Sequence, residues 1–332
     1  MSVETKSRRV TAADVAKSLG ISRATVGFVL NNTRGQTISA ATRERVIAEA
    51  ARLGYRPHTA AQALARGRSK IILLVLPDWP IEHSMSRHIV EASSFLEDAG
   101  YSLVTYTLHE TGAARPLWEA LDPDVVMGLL PFSKSDVASM RASGITNIIP
   151  DPDADTAAWQ TGPSIVAGPQ LQVEHLAGLG HSRIGFAFPA DPRLTPIVEA
   201  RLTVVREKAA TLGLGEVEHH SINMHDPSSR KAVQEWSRYG VSGVVAYNDE
   251  IAAAVVGAAL RTGLSIPGEL AVIGHDDNPW AELFIPSLSS IRMDIEGLGR
   301  QMAIIALNAV DGRAIPAEDP AMIAVLVRRE ST

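Results

Sequence analysis

TAADVAKSLGISRATVGFVLN, residues 11–31, reads as two short helices joined by a tight turn. Thr11 with Asp14 three residues on is a variant of the capping box, and Val15, Ala16 and Leu19 give the first helix an inward face at helical spacing. Gly20 supplies the left-handed backbone that stops it. Ile21 begins the turn, Ser22 caps the second helix, and Val26, Val29 and Leu30 form its buried side. That leaves Arg23, Ala24, Thr25 and Phe28 on an outward face of the kind that enters a DNA groove. A helical hairpin that merely packs would show the same periodicity, so charge has to decide.

Residues 1–70 hold 13 Lys and Arg against 4 Asp and Glu, net +9, whereas residues 71–332 hold 18 against 33, net −15; the whole chain is at −6. A basic head on an acidic body suits a phosphate-binding module joined to a soluble domain. The head continues with a third helix that Ser39 caps, whose Val46, Ile47, Ala50 and Leu53 are expected to close a three-helix core, with Gly54 ending it before Tyr55-Arg56-Pro57. After it comes HTAAQALARG, residues 58–67, an amphipathic segment too short to be helical in isolation.

This order of parts resembles the LacI/GalR family of bacterial transcriptional regulators, on DVAKSLGISRATVGFVLN (14–31), SAATRERVIAEAARLGYRP (39–57) and AAQALARG (60–67), and the resemblance runs on through the chain. It implies that the last of these is a hinge that folds when two copies meet in the DNA minor groove, with Leu64 as the wedge at a central base step. Ala60, Ala61 and Ala63 would let the two helices approach, and the unstacking cost of a few kcal/mol would be offset by the wider protein surface that kinked DNA meets. The residues expected at DNA are Thr11, Ser22, Arg23, Ala24, Thr25, Phe28, Asn31, Tyr55 and Leu64. Arg23 can read guanine through O6 and N7 or hold a phosphate. One departure stands out: the family usually has Ser-Arg after the Thr-Val of the reading helix, and this chain has Gly27-Phe28. That removes a phosphate or guanine donor and leaves a ring that can meet a thymine methyl or a sugar edge.

From Ile71 onward, apolar runs alternate with helical patterns. IILLVL (71–76), YSLVTYTL (101–108), DVVMGLL (124–130) and ITNIIP (145–150) form one series of strands. SRIGFAF (182–188), VEHHSI (217–222), GVVAY (243–247) and LAVIGH (270–275) form a second. Repeated βαβ units mean parallel sheets, and two series suggest two doubly wound lobes with a cleft at the strand carboxyl ends. The expected fold is therefore an all-α helix-turn-helix head plus an α/β two-lobed body, which the resemblance makes periplasmic-binding-protein-like. Its expected parts are a head at 1–57, a hinge and linker at 58–69, and an effector-binding and dimerisation domain at 70–332. Within the last, lobe 1 takes about 70–160 and 289–318 and lobe 2 about 161–288 and 319–332, with crossings near residues 160, 288 and 318. The stretch EGLGRQMAIIALNAV, 296–310, returns to the first lobe with Met302, Ile305, Ala306 and Ala309 as core.

Polar residues just after strands are the cleft candidates: Asp78-Trp79, Asp151, Asn248-Asp249 and Asp276-Asp277. The resemblance carries effector contacts onto Asp151, Arg201 in EARLTVV, Asn248 in YNDE and Asp276 in IGHDD, and such groups can bond vicinal hydroxyls. Asn248 or Asp249 can equally cap the helix that follows, and Arg201 can pair with Glu199 or another surface acid. Trp79, Trp159, Trp280 and His225 lie in loops where an aromatic face can stack on a sugar ring or a nucleobase, although for any one of them packing is the commoner role. The effector set is Asp78, Trp79, Asp151, Arg201, His225, Asn248, Asp276 and Trp280.

Enzymatic readings lack their chemistry. Asp151, Asp153 and Asp155 start like a calcium loop, but Thr156 and Gly162 stand where its glycine and bidentate glutamate belong. His219, His220 and His225 have no regular metal spacing, and no nucleophile elbow, phosphate loop or dinucleotide fingerprint occurs. No metal or cofactor is expected. A solute-binding protein of transport would share the body but carry an apolar leader, and Met1–Val10 is polar and charged. No apolar run approaches 18 residues, and the chain has no cysteine, so neither a membrane span nor a disulfide is expected. The expectation is a cytoplasmic homodimer on pseudo-palindromic double-stranded operator DNA, a repressor more readily than an activator or global regulator. Its effector is expected to be a carbohydrate, with a nucleobase or nucleoside second.

Overall fold

The computed structural model describes residues 10–31, 35–55, 68–109, 114–153, 162–314 and 324–332. The chain divides into two compact units, Met1–Lys70 and Ile71–Thr332. The expected hinge with Leu64, the loop tryptophan Trp159 and the crossings near residues 160 and 318 lie outside the described residues.

In the head, α1 spans Ala12–Leu19, α2 Arg23–Leu30 and α3 Ala40–Arg52. The capping box at Thr11 is reciprocal: the Asp14 amide donates to the threonine hydroxyl at 3.3 Å, and the Thr11 amide donates to the Asp14 carboxylate at 2.8 Å. Gly20 ends α1 at φ +67°, a conformation L-residues seldom take. Ser22 and Ser39 cap α2 and α3 by accepting from the amides of Thr25 and Thr42. Val15, Ala16, Val26, Val29, Val46 and Ala50 form the core these three helices close, with Leu19, Ile21, Leu30, Leu53 and Tyr55 packed around it. Ile47 does not join them. It is 53% exposed, because the inward stripe of α3 runs Val46, Ala50, Leu53 and the neighbour of Val46 is turned about 100° away.

The body's first sheet contains β1 (Ile71–Leu76), β2 (Ser102–Thr107), β3 (Val125–Gly128) and β4 (Ile148–Ile149), all parallel in the order β2-β1-β3-β4. Ile72 sits in register with Leu103 on one side and Val125 on the other. Central β1 is an unbroken apolar run because both faces are covered. Its alternate residues Ile72, Leu74 and Leu76 meet Ala92 and Leu96 of α4 (His83–Asp98), while Leu73 and Val75 face Trp118 of α5 (Leu117–Leu121) and Val137 and Met140 of α6 (Lys134–Ala142).

The second sheet repeats the plan. α7 (Pro163–Gly178) leads into β5 (Ile184–Pro189), α8 (Thr195–Thr211), β6 (Glu218–Ile222), α9 (Ser228–Tyr239), β7 (Gly243–Ala246), α10 (Asp249–Arg261) and β8 (Ala271–Ile273), with parallel strand order β6-β5-β7-β8.

Two strands then form an antiparallel pair, β9 (Ser290–Met293) with β10 (Ala324–Val327). Leu288, Ile291 and Met293 lie in the second lobe's core. Asp294 caps α11 (Ile295–Asp311), which returns to the first lobe and buries Met302, Ala303, Ala306 and Leu307 beside β1. The chain therefore leaves the second lobe at Asp294, about six residues beyond the crossing expected near 288, because β9 is a strand of its own that completes the core before the return.

Candidate functional site

A cavity of about 170 Å³ opens between the first-lobe segment from Trp79 to His88 and the second lobe's Arg201, Tyr247, His275 and Asp276, floored by Leu194, Ile197 and Met293. That is the scale of an engineered void that takes one six-membered ring.

The second-lobe wall is built in advance. Asp276 and Asp277 follow β8 with φ +93° and +47°. This left-handed turn is held by the Asp276 amide donating to the Ile291 carbonyl at 2.8 Å and the Asp277 amide donating to the Ser290 hydroxyl at 3.0 Å. The Asp277 carboxylate accepts from Arg292 Nε at 2.6 Å and Arg329 Nη2 at 2.7 Å. Buried Asp249 braces the same loop, accepting from the Asn278 amide and the Ser290 hydroxyl, each at 2.6 Å. Burial pushes the Asp249 carboxyl up to about 7, and the charges of Asp276 and Asp277 add to that. Gly274 is required beside it, since a β-carbon there would collide with the Asp249 carboxylate.

Asp276 itself points its carboxylate at the ring of fully buried His275, Nδ1 to Oδ1 2.8 Å. Burial opposes the Asp276 charge, but the bond from His275 and nearby Arg201 hold its carboxyl below the usual range. Burial, with Arg201 adding to it, pushes the His275 ring below its ordinary value, while Asp276 opposes the shift. Arg201 projects from α8 into the interior. Its Nη1 donates to the Tyr247 carbonyl at 2.7 Å and its guanidinium lies 4.6 Å from the centre of the Tyr247 ring. Its Nε is buried with no hydrogen-bond partner among the described residues. Arg201 is thus 8% exposed and engaged by backbone and ring, not paired with Glu199.

The first lobe contributes Trp79, Glu82, Ser84 and His88. Asn248 joins the lobes while also capping α10: its Oδ1 accepts from the Ile251 amide at 2.9 Å and its Nδ2 donates to Glu82 Oε2 at 3.0 Å. Of the two roles open to Asn248, the cap is the one filled by this geometry. Burial raises the Glu82 carboxyl to about 7 despite that bond, with Asp276 and Glu250 adding to the rise.

Of the eight expected effector residues, Trp79, Arg201 and Asp276 line the cavity and Asn248 reaches it through Glu82. The other four do not border it. Asp78 is exposed and pairs with Arg193 and His109, each at 3.3 Å. Asp151 accepts from the Asp153 amide in an exposed turn, and the exposed His225 donates its amide to Asn223. Trp280 packs edge-on to Phe284 against the second-lobe core. Glu82, His88, Tyr247 and His275 line the cavity without having been singled out. Tyr247 and His275 directly precede expected residues, and Glu82 lies in the same loop after β1 as Asp78-Trp79, so the strand-end rule could have reached all three.

In the head, Arg23 and Ala24 are exposed on α2, and Thr25 and Phe28 are half-buried there. The hydroxyls of Ser22 and Thr25 are 2.9 Å apart, that of Thr11 serves the capping box, the Asn31 amide donates to the Gly27 carbonyl, and the Tyr55 ring packs on the core. Among the described residues no helix is long and apolar enough to cross a membrane.

Residues 11–58 match the model for bacterial regulatory proteins, lacI family, and residues 173–332 that for a periplasmic binding protein-like domain. The chain is 28% identical to the HTH-type transcriptional regulator MalR of Streptomyces coelicolor, covering 96% of each chain. It is 27% identical to the lactose operon repressor of Escherichia coli, covering 97% of this chain and 91% of that one. Its fold matches a crystal structure of the lac repressor dimer bound to operator and the anti-inducer ONPF, with TM-score 0.77 at 23% identity over 98% of this chain and 99% of the other. The chain thus carries a head of the lacI family of bacterial regulatory proteins in front of a periplasmic-binding-protein-like body, and relatives named as transcriptional regulators match it along nearly its whole length.

Proposed function

We propose that this protein is a cytoplasmic homodimeric repressor that binds a pseudo-palindromic double-stranded operator, with operator affinity set by a carbohydrate in the cavity between the lobes. The observation that carries this reading is the cavity itself: a ring-sized space with Trp79 on one side and Arg201 and Asp276 on the other. A hydroxylated ring there would give the unpartnered Arg201 Nε an acceptor and offer its own hydroxyls to the carboxylates of Asp276 and Glu82. An aromatic face and paired carboxylates suit a sugar subsite, and a relative named as a lactose operon repressor supports the class. The operator-bound dimer of the lac repressor supports both the DNA partner and the two-fold assembly.

Closure of one lobe on the other would change the spacing of the paired hinges at residues 58–69, where Leu64 wedges the minor groove. Coupling of about 1–3 kcal/mol, roughly 5- to 150-fold in operator affinity, suffices for such a switch. The test is a gel shift on the DNA upstream of the protein's own gene, repeated with a panel of sugars and nucleosides. A specific shift that one sugar changes at least fivefold is expected. A response to a nucleoside alone would replace the effector class, and no specific shift on any fragment would overturn the repressor reading. Leu64→Ala should weaken specific DNA binding and leave ligand binding intact; equal loss of both would remove the hinge assignment.

A further inference from the structure

The outward face of α2 is short of hydrogen-bonding groups. The Ser22 and Thr25 hydroxyls are bonded to each other and Ser22 also serves the cap, and beside them Arg23 and Ala24 are exposed and Gly27 and Phe28 half-buried. Ala24 and Phe28 stand four residues apart and so form one ridge, an apolar one. The ring of Phe28 is not among the side chains packed on the head's core. Beside it, the place where a Gly27 side chain would stand is open: apart from its chain neighbours and the helix's own backbone, no atom of the described residues lies within 4 Å, so no side chain at position 27 flanks the ring.

We propose, resting on the operator-binding reading, that Ala24 and Phe28 form a thymine-reading ridge: in each half-site Phe28 packs on the C5-methyl of one thymine in the major groove and is the specificity-determining residue there. A phenyl ring has no donor or acceptor, so it cannot tell bases apart by hydrogen bonds. The one apolar group that base pairs present in the major groove is the thymine methyl. Guanine O6 and N7 or a cytosine amino group against the ring would be stripped of water with no partner, at a cost in free energy. The net +9 of residues 1–70 supplies the sequence-independent attraction to phosphate, and Arg23 stands one residue before the ridge.

The experiment needs no knowledge of the effector. An operator is selected from a random duplex pool with the full-length protein, and each thymine of the selected sequence is then replaced singly by deoxyuridine, which removes the methyl and keeps the pairing. Fluorescence anisotropy should find one thymine per half-site whose replacement weakens binding about 4-fold, the worth of one buried methyl, and about 15-fold when both half-sites are changed. In Phe28→Ala that sensitivity should vanish while the remaining operator preference persists. Phe28→Arg should select guanine at the same position and be indifferent to deoxyuridine there. Selected operators with no uridine-sensitive thymine, or a sensitivity that survives both substitutions, would overturn the ridge while leaving operator binding intact. Failure to select any sequence would overturn the operator reading and the ridge with it.

Discussion

The two lobes share a strand order, β2-β1-β3-β4 in one and β6-β5-β7-β8 in the other, yet they furnish the cavity in opposite ways. The second lobe offers side chains braced from within: Arg201 is held by the Tyr247 carbonyl, Asp276 by His275, and the loop that carries Asp276 by Asp249 and Asp277. The first lobe offers Trp79 and Glu82 from the segment that leads into α4, a helix whose start has no side-chain cap. That segment is tied to the second lobe by the bond from Asn248 to Glu82 and by the exposed pair of Asp78 with Arg193. The second lobe's groups are thus braced from within that lobe, whereas the first lobe's are held from across the cavity.

The contrast can be broken by substitution. Asp277→Ala should cost the most, about 3 kcal/mol or more in urea unfolding of the full chain, because Arg329 would be left largely buried without its carboxylate. A loss under about 1 kcal/mol would mean the second lobe is not preset by that carboxylate. Arg201→Met removes a buried guanidinium but keeps its volume. It should leave stability within about 1 kcal/mol while weakening the effector response about tenfold in the gel shift.

Glu82→Gln separates the lobes by pH. The folded-state carboxyl titrates at about 7 against an ordinary 4.5, so between those values the unfolded chain releases a proton that the folded chain retains, and stability falls as pH rises through the window. The glutamine variant lacks that decline and should gain up to about 3 kcal/mol relative to the parent between pH 4.5 and 8. Asp249 titrates in an overlapping window from the second lobe and remains in the variant, so the slope of melting temperature against pH should shrink but persist. An unchanged slope would place Glu82 in solvent. The smallest effect belongs to Asp78→Asn, which breaks the exposed cross-lobe pair with Arg193 and should cost under about 0.5 kcal/mol, measured by the same melts.

Much of this was legible along the chain, for reasons that differ by region. The head's caps are local, so Thr11, Gly20, Ser22 and Ser39 could be placed from spacing of a few residues, and the apolar strands were visible because both faces of each sheet are covered. Ile47 was misplaced because one residue of helical phase separates a core position from solvent. β9 was missed because its short run, Ser-Ile-Arg-Met, exposes Arg292 to reach Asp277, a requirement set by residues elsewhere in the chain. In the cavity, strand-end position found Trp79 and Asp276 but also drew in Asp78 and Asp151, since the rule marks an edge of the sheet and says nothing about which side chain turns inward. Glu82 escaped because its significance comes from Asn248, 166 residues further on, and from Asp276, farther still.

The backbone at Asp276 and Asp277 has a bearing on how such a protein can diverge. Both residues adopt positive φ, where β-branched and bulky side chains are strongly disfavoured and glycine, asparagine and aspartate are tolerated. Drift at Asp276 is therefore channelled by the chain's own geometry, whatever molecule selection favours. The accessible exchange is an amide for a carboxylate, or the loss of the side chain altogether. Descendants can therefore retune this corner of the cavity in charge far more readily than in size.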